Sequence, residues 1–158
     1  MATYYIATTG NDTTGDGSSS NPWLTLSKFL TASVDNDTLI VKDGTYTLTA
    51  NVTISQRTIQ AENNGLAIFD GGNTLKVFTL GGTNVFTGLV FQRFYAITTS
   101  RGGIFSATQS EGATTWNNCI FKEKCGKRQR RIFGISWARH TCTRTQGLGG
   151  YKELGRVN

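Results

Sequence analysis

Asn84-Val85-Phe86-Thr87-Gly88-Leu89-Val90-Phe91 is the stretch that indicates the fold, because it joins two short apolar runs across a single glycine. Apolar runs that end in phenylalanine recur at Phe69, Phe91 and Phe121, at offsets of 22 and 30 residues. The first offset matches one coil of a solenoid, and the second matches a coil with a loop inserted around residues 108–112. A single coil cannot bury its own apolar face, so the repeat predicts coils that stack on a shared core.

Similar short runs occupy residues 38–121, and these 84 positions suffice for about four coils of this length. The composition agrees, since 54 of the first 121 residues are Thr, Gly, Asn or Ser. Threonine favours pleated surfaces, while glycine and asparagine accept tight corners. Between a sandwich and a solenoid, the repeat favours the solenoid, so we predict an all-β chain with coils over residues 38–121.

Residues 1–37 predict a strand, a turn-rich loop and one short helix. Asn21 can cap a helix whose first position is Pro22, where a missing N–H costs nothing. We therefore predict a helix over residues 22–33. Its apolar face is formed by four residues at spacings of three and four, Trp23, Leu26, Phe29 and Leu30. The end of a coil stack exposes unpaired strand edges, and this helix is expected to cap them.

Several segments together resemble a known superfamily: Tyr4-Tyr5-Ile6-Ala7, Gly10-Asn11-Asp12, Pro22-Trp23-Leu24-Thr25-Leu26, Asp37-Thr38-Leu39-Ile40-Val41-Lys42-Asp43-Gly44-Thr45-Tyr46, the stretch quoted first, and Trp116-Asn117-Asn118-Cys119-Ile120-Phe121. Over residues 3–121 the chain looks like the N-terminal portion of the pectin-lyase-like right-handed parallel β-helices. The resemblance implies a right-handed parallel β-helix (solenoid) of about four coils with an N-terminal capping helix. It is unspecific for function, since this fold serves lyases, hydrolases, phage tail spikes and adhesins.

Catalytic members of that superfamily are usually longer and hold substrate along their middle coils, whereas this chain stops matching after about four coils. We therefore predict a non-enzymatic structural or carbohydrate-binding module, phage tail-spike-like or surface adhesin-like, with polysaccharide as its partner. A homotrimer fits such assemblies. The first alternative is a truncated pectate-lyase-like polysaccharide lyase or glycoside hydrolase. The second alternative is nucleic-acid binding through a basic tail.

Three residues are candidates for lyase chemistry: Asp70, Arg93 and Arg101. They lie in successive coils, and β-elimination on a uronate needs a cation that neutralises the carboxylate and a base. No fixed spacing identifies such a site, so the competing interpretation is solvated surface charge. Residues 1–121 contain no histidine, which excludes a nucleophile activated by histidine in that part of the chain.

Other acidic residues and Trp23 have a functional and a structural interpretation each. Asp12 and Asp16 could hold Ca²⁺ in a wrapping loop, although the EF-hand spacing is absent and a Gly/Asp-rich turn explains them. Asp35 and Asp37 could form a carboxylate pair, or cap the turn that opens the first coil. Trp23 could stack on a sugar, or pack on the helix face. We expect no bound metal and no cofactor.

Residues 122–158 differ from the rest in charge. Residues 1–121 hold six basic and eight acidic residues, a net charge of −2, whereas residues 122–158 hold ten basic and two acidic, a net charge of +8. A shifted reading frame or chimeric gene end, a disordered basic tail and a nucleic-acid site are three explanations, of which we favour the first. Four residues, Cys119, Cys125, His140 and Cys142, do not have the usual spacing of zinc ligands.

Location follows from what the sequence lacks. The N-terminal residues show no basic start followed by an apolar run, so no classical signal peptide is predicted. No run of 18 apolar residues is present, so no membrane partner is expected. A position on a virion or an extracellular surface is the expectation.

Overall fold

The computed structural model describes residues 1–73, 78–94, 105–107, 113–122 and 142–143. These residues form thirteen short strands and one helix, α1, Leu26–Ala32. The strands in chain order are β1 Thr3–Ile6, β2 Thr38–Val41, β3 Gly44–Thr47, β4 Val52–Ser55, β5 Thr58–Ala61, β6 Ala67–Asp70, β7 Phe78–Gly81, β8 Asn84–Thr87, β9 Val90–Gln92, β10 Phe105–Ala107, β11 Thr114–Asn117, β12 Ile120–Lys122 and β13 Cys142–Thr143.

Every pairing among the described strands is parallel, and each strand from β2 to β9 pairs with the one three places later. The resulting sheets have the orders β1-β2-β5-β8-β11-β13, β3-β6-β9-β12 and β4-β7-β10. None of these sheets closes into a barrel. The described part of the chain is therefore mostly β, in parallel sheets that fit a β-helix.

The register confirms the phenylalanine repeat read from the sequence. Phe69 is the partner of Phe91 across β6 and β9, and Phe91 is the partner of Phe121 across β9 and β12. Tyr46 of β3 precedes them in the same column. Ring centroids along this column lie 5.9, 5.7 and 5.3 Å apart. The apolar positions of successive strands thus meet inside the fold.

A second column runs inside the longest sheet, through Leu39, Ile59, Phe86 and Trp116. The first three are fully buried and Trp116 is almost so, with its ring stacked on Phe86 at 4.3 Å between centroids. Residues between these positions point outward, as the two-residue period of a strand requires. Among the described residues these columns form one apolar core, although the spacing of their residues along the sequence varies.

The helix begins later than predicted. Thr25, not Asn21, is the N-cap, and its hydroxyl accepts a hydrogen bond from the Lys28 amide. Trp23 cannot start a helix because its amide donates to Tyr5 and its carbonyl accepts from Ala7, in a parallel bridge to Ile6. A tertiary contact therefore overrides the local Asn-Pro signal.

Two strands form outside the short apolar runs. Thr114–Asn117 forms β11, in a stretch where Trp116 stands between polar residues. Cys142–Thr143 of the basic segment forms β13, which pairs with β11. The predicted insertion at residues 108–112 and most of residues 122–158 lie outside the described residues. The predicted domain boundaries stay predictions.

Among the described residues, no helix has the length and apolar character that crossing a bilayer requires.

Candidate functional site

Asp70, the last residue of β6, is fully buried and saturated with hydrogen bonds. Its carboxylate accepts from the Gly72 amide at 2.8 Å, from Gln92 Nε2 at 3.0 Å and from Arg93 Nε at 2.9 Å. Burial alone raises the pKa of Asp70, but the hydrogen bonds from Arg93, Gly72 and Gln92 outweigh it and hold the pKa below its ordinary value of 3.8. The interpretation of Asp70 as solvated surface charge is therefore wrong.

Arg93 lies beside Asp70 because the chain turns sharply after β9. Its backbone is left-handed, with φ of 53°, and its side chain forms an ion pair with Asp70 through Nη2. That side chain remains 43% exposed. The structure thus brings together two of the three predicted catalytic candidates, while Arg101 lies outside the described residues. As arranged, this pair stabilises a corner between neighbouring strands, and its catalytic role stays a prediction.

Asp12 and Asp16 both tie down the loop before the helix. One carboxylate oxygen of Asp12 accepts from the amides of Leu24 and Thr25, and the other accepts from the Thr25 hydroxyl at 2.6 Å. Asp16 accepts from the Ser18 amide at 2.8 Å, and the hydrogen bonds from the Ser18 hydroxyl and amide lower its pKa. Within the described ranges no three His, Cys, Asp or Glu residues converge as metal ligands would. Cys119, which lies between β11 and β12, is half-buried.

Asp35 and Asp37 have separate structural partners and do not form a pair. Asp37 is buried and accepts from the amides of Ala2 and Val34, which hold its pKa below the ordinary value. Asp35 forms an ion pair with Arg57 at 2.7 Å. Arg57 is 9% exposed and also donates to Ser33. Sequence reasoning missed this arginine, because its partners lie 22 to 24 residues earlier.

Trp23 packs against Tyr4 and against the loop that precedes the helix. It is 5% exposed, stacks on Tyr4 at 4.9 Å between ring centroids and donates from Nε1 to the Gly15 carbonyl at 2.9 Å. Its ring is therefore not available to stack on a sugar.

The outward side of the longest sheet carries mostly polar, uncharged side chains. We call it the threonine face; it consists of the outward positions of β1, β2, β5, β8 and β11, which are Thr3, Tyr5, Thr38, Ile40, Thr58, Gln60, Val85, Thr87, Thr115 and Asn117. All but Thr3, which is exposed, are half-buried. Neighbouring strands in a sheet are spaced about 4.8 Å apart, so hydroxyl and amide groups recur along this face at that interval, except where Ile40 and Val85 interrupt them.

A cavity of about 500 Å³ lies at the N-terminal end, between the helix and the strands β3 and β4. We call it the N-terminal groove; its walls are residues 24–27, 30 and 31 on one side and residues 45–53 on the other, with Thr8 between them. Tyr46 closes its inner end, and burial raises the pKa of that phenol to about 12. The sequence did not predict this groove, because its width depends on the distance between the helix and the strands β3 and β4.

Comparison with known proteins gives a likeness of fold. No family model matches the sequence, and no curated protein matches it either. A solved structure described as rhamnogalacturonan lyase matches with a TM-score of 0.63 at 16% sequence identity. The match covers 78% of this chain and 36% of that one, so the chain spans about a third of the length of that lyase. The chain therefore shares its parallel-β fold with a distant structural neighbour.

Proposed function

We propose that the chain is the N-terminal part of a right-handed parallel β-helix of about four coils, capped by α1, and that it serves as a non-enzymatic carbohydrate-binding module of the phage tail-spike or surface adhesin kind. Pairing between strands three places apart supports the coils. Under this proposal the chain works as a homotrimer on a virion or an extracellular surface, with a polysaccharide as its partner.

The threonine face is the observation that carries the binding function. Threonine hydroxyls and the amides of Gln60 and Asn117 can each donate and accept hydrogen bonds, as sugar hydroxyls do. Aligned strands place these groups in two rows, each interrupted once, by Val85 or by Ile40, and such rows suit a polymer with a repeating unit. Tyr5 adds an aromatic surface at one end of the face, held beside Lys42 at 5.9 Å from the ring centroid.

The burial and the hydrogen bonds of Asp70 support the non-enzymatic proposal. A general base must reach the proton that it removes, within hydrogen-bond distance of the substrate. Asp70 is fully buried, and its oxygens are occupied by Gly72, Gln92 and Arg93. Such a carboxylate orders the corner of a coil without contacting a bound glycan.

Binding is tested by titrating the full chain with capsular polysaccharides, pectate and alginate in a calorimeter. Gln60→Ala and Thr87→Ala on the threonine face should each weaken the affinity for the bound glycan roughly two- to tenfold, the worth of one hydrogen bond. Thr79→Ala, on the outward side of β7 in another sheet, should leave it unchanged. Equal affinities in all three variants would refute binding at this face.

A second candidate, a truncated polysaccharide lyase, is favoured by the similarity to rhamnogalacturonan lyase and by the exposed part of the Arg93 side chain. It predicts release of unsaturated products from pectate or rhamnogalacturonan, measured by their absorbance. Product release that stops in Arg93→Ala would support the lyase and overturn the non-enzymatic proposal.

A further inference from the structure

The N-terminal groove runs along two strand edges that the described part of the chain leaves without a neighbouring strand. In the longest sheet, β1 pairs with β2 and extends the sheet by one strand beyond the first coil. The other two sheets end at β3 and β4, which are edge strands. After β1 the chain turns into the loop and helix α1, so no strand of that layer follows over β3 or β4.

The backbone of β3 shows which groups face the groove. The amides of Gly44 and Leu48 donate to Leu66 and Asp70, on the side of β6. Because neighbouring residues of a strand direct their amides to opposite edges, those of Thr45 and Thr47 point away from β6, towards the groove. Both threonines are exposed. A short row of backbone donors and acceptors therefore lines one wall.

The side chains of the groove are neutral and partly apolar. No charged residue is among those that line it. Leu30 of the helix, with Leu48 and Val52 opposite, gives an apolar surface that is only half-buried. Tyr46 is 7% exposed, so no open aromatic ring is present on which a sugar could stack. A strand edge beside an apolar surface is the arrangement that binds extended peptides by strand addition.

We propose that the N-terminal groove binds an extended, uncharged polypeptide segment of a partner protein, which adds to the edge of β3 as a further parallel strand. The pairing of β1 with β2 is the precedent in the same molecule, and the added strand continues that layer. Alternating side chains of the segment contact Leu30 and Leu48 on one side and solvent on the other. This site is distinct from the threonine face.

The test uses the full chain and a fluorescent peptide of alternating valine and threonine, with binding followed by anisotropy. Its matched probe carries N-methyl groups on the amides that would pair with β3. Thr47→Pro removes an edge amide that β6 does not use, and proline is tolerated at such positions. Thr79→Lys, outside the groove, is the control for Leu30→Lys, which puts a charge into it.

We expect the unmethylated peptide to bind, and the methylated one to bind at least tenfold more weakly. Thr47→Pro and Leu30→Lys should each lower the affinity at least tenfold, and Thr79→Lys should not. If Thr47→Pro fails to fold by circular dichroism, the pair of peptides still decides the question. Equal binding of both peptides, no binding, or occupation of the groove by cellohexaose or by a second copy of the chain in place of the peptide overturns the proposal.

Discussion

Asp70 illustrates, at the scale of one residue, how a buried carboxylate stabilises the ends of two paired strands, β6 and β9. Three neighbours donate to it, and its charge is matched by Arg93. Asp70→Asn removes the charge and leaves at least one donor without an acceptor. Because Arg93 is partly exposed, the ion pair contributes less than a fully buried one would. We expect the free energy of unfolding to fall by about 2 kcal/mol at neutral pH, measured by urea denaturation.

The same carboxylate makes stability depend on acid pH. Its pKa is lower in the folded chain than the ordinary 3.8, so the unfolded chain binds more protons in that range. The stabilisation is fully present above pH 3.8 and is lost as the pH falls through the lowered pKa. The difference between the native chain and Asp70→Asn should therefore narrow in acid. Asp43→Asn is the matched control, at an exposed position whose carboxylate accepts from Asn63 in the described part of the chain, and it should change the free energy of unfolding at neutral pH much less. A constant difference at every pH would contradict this account.

At the scale of elements, the start of the helix depends on a single threonine. The Thr25 hydroxyl accepts from the Lys28 amide and donates to Asp12, so one side chain caps the helix and fastens the preceding loop. Thr25→Ala should lower the free energy of unfolding by about 1 kcal/mol. Thr31→Ala, which loses an exposed contact to the Ser27 carbonyl, is the control and should change it much less. A thermal melt of both variants measures the difference, and equal melting temperatures would show that the cap contributes nothing.

Some elements could be predicted from the sequence and others could not. Thr38–Val41 is a strand at the start of the region where short apolar runs predicted coils, because a short apolar run between turns favours a strand. The start of the helix was wrong, because the pairing of Trp23 with β1 is a tertiary contact that local propensity does not contain. Thr114–Asn117 was missed, since its central Trp116 has polar neighbours that resemble a loop.

The same limit applies to the candidate site. Asp70 and Arg93 were predicted as candidates from their residue types. Their mutual contact depends on the left-handed backbone at Arg93, which the neighbouring sequence does not predict. Arg57 was missed because its burial depends on partners from the preceding turn of chain. The threonine face and the N-terminal groove follow from strand register and helix position. Neither could be derived from the sequence, because it does not specify the register of the strands or the position of the helix.

At the scale of the whole molecule, the spacing of Phe69, Phe91 and Phe121 predicted which residues meet across strands, although the two offsets differ. The inward position of each phenylalanine is kept in the strand register at both offsets, because each ring fills the same column. In this column a ring contacts mainly the rings of the two neighbouring strands, so the stability of the column is roughly a sum over these strand-to-strand contacts. A residue shared by two interfaces should then affect stability more than one at the end.

Phe91 is such a shared residue. It is fully buried and lies between Phe69 and Phe121, with further ring contacts to Phe78 and Trp116. Phe91→Ala should lower the free energy of unfolding by about 3–5 kcal/mol, because it leaves a cavity bordered by both neighbouring strands. Phe121→Ala, where the ring is only half-buried, should lower it by clearly less.

The measurement is guanidinium denaturation followed by tryptophan fluorescence. Trp116 packs 5.8 Å from Phe91 between ring centroids, whereas Trp23 stacks on Tyr4 near the N-terminus. If each strand-to-strand contact acts separately, Phe91→Ala should lower the midpoint of the transition reported by Trp116 more than the midpoint reported by Trp23. Single-tryptophan variants separate the two signals, with Trp137 replaced in both. Coincident transitions that shift together by the same amount would instead indicate one cooperative unit, in which neighbour interfaces do not act separately.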